Sequence, residues 1–327
     1  MRKNRYLSFV LLLLVLPALL LTACGSPESA APAEVPTAEP TPIPEPSVDE
    51  VTLTDGLGRE VTIVGTPQRI VSLAPSTAEM LYAVGAGDRL VGRDEFSDYP
   101  PEIVDVESIG SLFPNVNAEA VVALQPDLVL AAGITNPDDV NALAELGLTV
   151  FATRFTTGLE DIYADILDVG TLTGQVEQAE EVVADMKTRV EAVIAQTQAA
   201  EEQPIVFYEI DAPEPAKPWT TGPGTFIDSL IIMAGGRNAG AGAANQYFQI
   251  SLEELVAQDP QIIVLGSFTF GGQTPEIVAE REGWQDIGAV QNGNVYTFDD
   301  NLVSRPGPRV VDGLEALALL IHPELFE

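Results

Sequence analysis

A stretch of fourteen residues occurs twice in this chain, and that duplication limits its fold more than any other feature. Asn117-Ala-Glu-Ala-Val-Val-Ala-Leu-Gln-Pro-Asp-Leu-Val-Leu130 can be laid over Ser251-Leu-Glu-Glu-Leu-Val-Ala-Gln-Asp-Pro-Gln-Ile-Ile-Val264. Asn117 and Ser251, Glu119 and Glu253, Val122 and Val256, and Pro126 and Pro260 all share one offset of 134 residues. Each copy reads as a capping side chain, a short helix, a proline that stops it, and a buried apolar strand. Ser251-x-x-Glu254 also has the form of a capping box. An offset this long is far outside the roughly 20–50 residues of stacked repeats, so it predicts two lobes of similar build rather than a solenoid.

The rest of each half alternates strands with helices. Arg69–Pro75 reads as a strand entering a turn, with a helix from Ser76 or Thr77 that carries Met80, Leu81 and Val84 to a stop at Gly85. Leu90–Gly92 is a second strand, and Leu148–Phe151 follows an amphipathic helix at Val140–Leu146. In the second half, Ile205–Tyr208 and Val295–Phe298 read as strands, and Phe226–Ala234 and Val310–Leu320 as helices. This order favours α/β lobes with mostly parallel sheets covered on both faces. Between the halves, Val176, Ala179, Val182, Val183, Met186, Val190, Val193 and Ile194 recur at helical spacing, predicting one long helix over about 176–200. A helix of that length spans roughly 37 Å and reads as a rigid spine between the lobes.

The N-terminus carries a different signal. Arg2, Lys3 and Arg5 precede an apolar run from Leu7 to Leu21, which leads into Leu21-Thr-Ala-Cys24. A run of about 15 residues falls short of the roughly 20 that span a bilayer as a helix, so residues 1–23 read as an export signal. Cys24 is the only cysteine, which excludes an internal disulfide and a thiolate metal site. From Gly25 to about Glu50 the residues are mostly Pro, Ala, Glu, Thr and Ser, the composition of an unstructured tether. The expected layout is signal 1–23, tether 24–50, first lobe 51–158, helical linker 159–202 and second lobe 203–327.

Without residues 1–23 the chain keeps 12 Lys and Arg against 49 Asp and Glu, a net charge of −37. That charge excludes nucleic acid as a partner. His322 is the only histidine, so a polyhistidine metal site is excluded, and neither a Cys-His nor a convincing Ser-His arrangement for catalysis is present.

The ordered pieces of residues 51–322 resemble the iron-siderophore and cobalamin-binding class of ABC-importer receptors. They include Thr54–Thr62, Arg69–Glu79, Gly85-x-Gly-Asp-x-Leu-Val-Gly92, Ser97-Asp-Tyr-Pro-Pro101, Trp219-Thr-Thr-Gly222, Gly235-Gly236 and Arg305-Pro-Gly-Pro-Arg309. The Leu-x-Ala-Cys24 ending resembles the bacterial lipobox, whose cysteine is acylated. The resemblance implies two Rossmann-like lobes joined by one backbone helix, and a non-enzymatic, monomeric receptor tethered through Cys24 to the outer face of the cell membrane. It implies no resident cofactor, and a partner consisting of a permease dimer with its ATPase. The cargo implied is a metal chelate held between the lobes: ferric siderophore, corrinoid or haem.

Carried onto this sequence, the resemblance makes Tyr99, Phe113 and Trp219 candidate aromatic contacts to the ligand. Arg305 and, less centrally, Arg93 are candidate cations for chelate oxygens, and Arg309 is expected to anchor the last helix. Phe96, Phe248 and Phe270 are expected to pack in the core. Glu119 and Glu253 stand in the first turn of each duplicated helix, where negative charge is favourable. The resemblance gives them a second role, docking one lobe each onto permease arginines.

Overall fold

The computed structural model describes residues 50–326. The expected export signal, the lipobox cysteine Cys24 and the tether to residue 49 lie outside the described residues.

Twelve strands are arranged in four sheets among the described residues. A hairpin of β1 (Glu50–Thr54) and β2 (Glu60–Val64) opens the chain. The first lobe is built on β3 (Ile70–Ser72), β4 (Leu90–Arg93), β5 (Leu128–Ala131) and β6 (Val150–Ala152), all parallel, in the order β4-β3-β5-β6. The second lobe is built on β7 (Ile205–Glu209), β9 (Arg237–Asn238), β11 (Ile262–Leu265) and β12 (Val295–Thr297), also parallel, in the order β9-β7-β11-β12. The two orders are equivalent, with β3 matching β7 and β5 matching β11. Between β7 and β11 the second lobe adds an antiparallel ribbon of β8 (Trp219–Thr221) and β10 (Tyr247–Gln249). The hairpin and the ribbon have no counterpart among the predicted elements.

The duplication is reproduced down to the backbone. Asn117 caps the helix Ala118–Ala123 by accepting from Ala120 N at 3.1 Å, and Ser251 caps Leu252–Gln258 by accepting from Glu254 N at 3.2 Å. Gln125 and Asp259, again 134 apart, are the only non-glycine residues with positive φ among the described residues, at 47° and 45°. Each precedes a proline, which disfavours the right-handed helical region for the residue before it; each helix therefore stops there. β5 and β11 follow in the same register and are completely buried, as the continuous apolar runs require. Even the tie at the start of the central strand is repeated. The Asp127 carboxylate accepts from the backbone of Gln68 and Arg69, and the Gln261 side chain accepts from Ile205 N.

The spine helix runs Val176–Thr197, 22 residues, or roughly 33 Å at 1.5 Å per residue. It buries Ala179, Val183, Met186, Val190, Val193 and Thr197, alternating four- and three-residue steps along one face. All but Thr197 belong to a core cluster that also takes Leu81, Ile166 and Val169 from one half and Leu230, Leu314 and Leu317 from the other. One continuous core thus passes through both lobes. Gly170 makes the close approach possible, since a Cβ there would lie 2.3 Å from that of Ala179. On the far side Arg189 bonds Glu315 at 2.9 and 2.6 Å and Asp312 at 2.5 Å, fastening the spine to the closing helix Val310–Ile321. No helix among the described residues is long and apolar enough to cross a membrane.

Candidate functional site

Parallel strands put all their carboxyl ends on one edge of each sheet, and ligands in such folds bind in the crevice outside those ends. The segments leaving β5, β6 and β7 border a cavity of about 260 Å³ between the lobes, lined by Ser76, Ile134, Phe155, Ile210, Tyr247 and Asp300 among others. Gly133 is needed where the turns after β5 and β6 cross, because a Cβ would sit 2.1 Å from the Arg154 carbonyl oxygen. Asp300 accepts from the Tyr208 hydroxyl at 2.7 Å. Burial, with the Asp300 carboxylate adding to it, pushes that phenol well above its ordinary pKa, so it stays a donor. Arg154 also borders the cavity, held by Asp165 at 2.6 Å and Asp168 at 2.8 Å. Burial raises the Asp165 carboxyl to about 6 against the opposing pull of Arg154.

Beside this cavity the lobes are clasped by charge. Arg305 and Arg309 flank Pro306-Gly-Pro308 in the second lobe, four residues apart on a stiff turn. Arg309 makes a two-pronged bond to Glu79, on the first-lobe helix Pro75–Ala83, at 2.9 and 2.6 Å. Arg305 bonds Asp98 at 2.5 Å and the Phe96 carbonyl at 3.2 Å, with Glu79 3.7 Å away. The two bridges differ in setting. The Glu79 side chain is 3 % exposed and that of Asp98 is 58 % exposed. Removing one partner of a buried pair costs roughly 3–5 kcal/mol, whereas an exposed pair contributes about 0–1 kcal/mol. The Arg309–Glu79 pair is the firm link.

Arg309 has a second contact: its guanidinium carbon lies 4.0 Å from the centroid of the Tyr99 ring. Tyr99, Glu79, Glu102, Asp185 and Arg309 border a second cavity of about 640 Å³, toward the spine. Ser76 faces the first cavity and Glu79 the second from the same helix, so the clasp divides the inter-lobe seam in two.

The chain matches the family described as periplasmic binding protein over residues 70–302. It belongs to that family. A Bacillus subtilis protein named as an uncharacterized ABC transporter substrate-binding lipoprotein is 34% identical over 319 residues, covering 96% of each chain. A cobalamin-binding protein of Halobacterium salinarum is 32% identical over 280 residues, 83% of this chain and 74% of that one. The crystal structure of the vitamin B12-binding protein of Vibrio cholerae superposes with a TM-score of 0.68 at 27% identity, covering 80% of this chain and 99% of that one. The two Rossmann-like lobes predicted from sequence are the fold this family has.

Within this binding protein the candidate residues fall into distinct places. Tyr99 and Arg305 both stand at the seam. Arg305 is not a free cation there: it bonds Asp98 and the Phe96 carbonyl, with Glu79 3.7 Å away. Arg93 is likewise turned to its own loop, bonding the carbonyls of Ile103, Asp94, Glu95 and Val104. Its charge holds the 94–107 segment in shape. Arg309 does stand at the start of the last helix, yet its side chain reaches across to the other lobe. Phe113 and Trp219 are 68 % and 38 % exposed, and neither lines the two cavities. Trp219 sits at the end of the β8–β10 ribbon away from Tyr247. Phe248 packs against the outer core of the second lobe, but Phe96 and Phe270 do not enter a core; they are exposed on segments that follow β4 and β11. Glu119 and Glu253 are exposed in the first turns of their helices, with no salt-bridge partner among the described residues.

Sequence reasoning missed Glu79, Phe155, Tyr247 and Asp300. Phe155 had a usable signal, an aromatic three residues beyond a buried strand. Glu79 had none, because its partners are 226 and 230 residues away along the chain.

Proposed function

We propose that this protein is the substrate-binding component of an ABC importer and that its cargo is a cobalamin-type corrinoid. The observation that carries the choice of cargo is the state of the cations. Of the 12 Lys and Arg that follow residue 23, every one that borders the two seam cavities or their clasp is already matched to carboxylate: Arg154 to Asp165 and Asp168, Arg189 to Asp312 and Glu315, Arg305 to Asp98, Arg309 to Glu79. Ferric catecholates and haem propionates bring negative charge that calls for unpaired arginine or lysine. A corrinoid presents a broad apolar ring edged with amides, which suits Ile134, Phe155, Ile210 and Tyr247 with Asp300 as an acceptor. The names of the relatives from Halobacterium and Vibrio support the same reading.

A cavity of about 260 Å³ is smaller than the roughly 300–1,000 Å³ of drug-sized sites, and a corrinoid is larger than a drug. The ligand therefore rests across the mouth of the seam, where Tyr99 and the exposed aromatics after β4, β6 and β11 meet it. Glu119 and Glu253, one on each lobe, dock on a permease dimer driven by its ATPase. Cys24 holds the receptor on the extracytoplasmic face of the membrane. Titration of the purified protein with cyanocobalamin, haem, a ferric catecholate and a ferric hydroxamate tests the cargo by absorbance and calorimetry. Cyanocobalamin is expected to bind at least a hundredfold more tightly than the others. Preference for a ferric chelate or haem overturns the reading.

A further inference from the structure

Three groups from two lobes meet at the seam, although Arg309 is more than 200 residues from the other two. Glu79, buried on the first-lobe helix, holds both prongs of the Arg309 guanidinium. The same guanidinium lies over the ring of Tyr99, which belongs to a first-lobe loop and remains 43 % exposed. Arg309 is thus held by a buried carboxylate, while its guanidinium also lies against an aromatic ring that is partly in solvent. A planar cation over an aromatic face attracts it electrostatically, more strongly where water is partly excluded, and a guanidinium does so while keeping its in-plane hydrogen bonds. Neighbouring Arg305 reinforces the loop by bonding Asp98 and the Phe96 carbonyl on the same segment.

We propose that Arg309 is a positioning residue that fixes the Tyr99 ring for ligand capture, with Glu79 as its anchor. The ring then has its binding orientation only while the lobes are clasped, because loop and guanidinium come from opposite sides of the seam. The proposal rests on the reading of Tyr99 as a ligand contact, and the experiment separates the two.

Tyrosines labelled with 3-fluorotyrosine report the ring by fluorine NMR, and the Tyr99 resonance is assigned by its loss in Tyr99→Phe. Arg309→Met is expected to move that resonance in the absence of any ligand, while Lys187→Met, which removes the cation over Tyr163, leaves it in place. Arg309→Lys retains a charge beside Glu79 and so serves if Arg309→Met does not fold; a smaller shift in the same direction is expected. Cyanocobalamin affinity should fall roughly two- to thirtyfold in Arg309→Met, by a similar factor in Tyr99→Leu, and no further in the double variant. A Tyr99 resonance that ignores both Arg309 variants, or losses that multiply in the double variant, overturns the proposal. If the unaltered protein binds no cyanocobalamin, the corrinoid reading falls, and the fluorine shift alone decides whether Arg309 positions the ring.

Discussion

The two lobes share a sheet order, a capped helix, a left-handed residue before proline and an exposed glutamate, yet the charge clasp where they meet is asymmetric. The first lobe contributes carboxylates to the seam, Glu79 and Asp98. The second contributes Arg305 and Arg309. The shared parts can serve a partner that is itself symmetric, while the unshared parts give a charge-complementary seam that two identical faces would not provide. Duplication supplied the scaffold, and divergence at the strand ends supplied the site.

The comparison can be broken most severely at its symmetric part. Reversing both Glu119 and Glu253 to Arg is expected to abolish uptake in cells while leaving ligand affinity of the purified protein unchanged, and each single reversal should impair uptake about equally. Unequal single effects would mean that the lobes are not equivalent toward the partner. The asymmetric part comes next. Glu79→Ala leaves Arg309 without its buried partner and should cost roughly 3–5 kcal/mol by denaturant unfolding. Asp98→Ala, at the exposed end of the same clasp, should cost no more than about 1 kcal/mol.

A finer test asks whether the duplicated helices are energetically alike. Asn117→Ala and Ser251→Ala each remove one cap and should each destabilise by about 0.5–2 kcal/mol, with the two losses adding because the sites share no contacts. A last test concerns Asp165, on the helix Leu159–Thr173. Its pKa of about 6 lies above the ordinary carboxylate value near 4, so between about pH 4 and 6 the folded chain holds more protons than the unfolded one. Its contribution to stability therefore declines as pH rises through that window. Asp165→Asn should remove this part of the slope when melting temperature is followed against pH.

Much of the fold was legible because it rests on local rules. The cap at Asn117, the stop before Pro126 and the apolar run of β5 are each determined by neighbours in sequence, and the second copy at Ser251–Val264 repeated the message. The spine announced itself by its three- and four-residue apolar spacing. The ribbon β8–β10 was not legible: Trp219–Thr221 and Tyr247–Gln249 are each three residues long, too short for a two-residue period to stand out.

The candidate site divides the same way. Tyr99 and Arg305 were singled out from motifs that are local, and both stand at the seam. Their actual surroundings depend on residues more than 200 positions away, such as Asp98 for Arg305 and Arg309 for Tyr99. Whether an arginine is free or paired is a property of what the folded chain brings within about 3 Å of it. The sequence by itself determined two α/β lobes, the helix between them and the duplicated glutamates, because periodicity and capping act over a few residues. Only the tertiary structure decided that the seam is clasped, that its arginines are already neutralised and that Arg309 carries Tyr99, because those outcomes depend on distances between chain segments that no local pattern encodes.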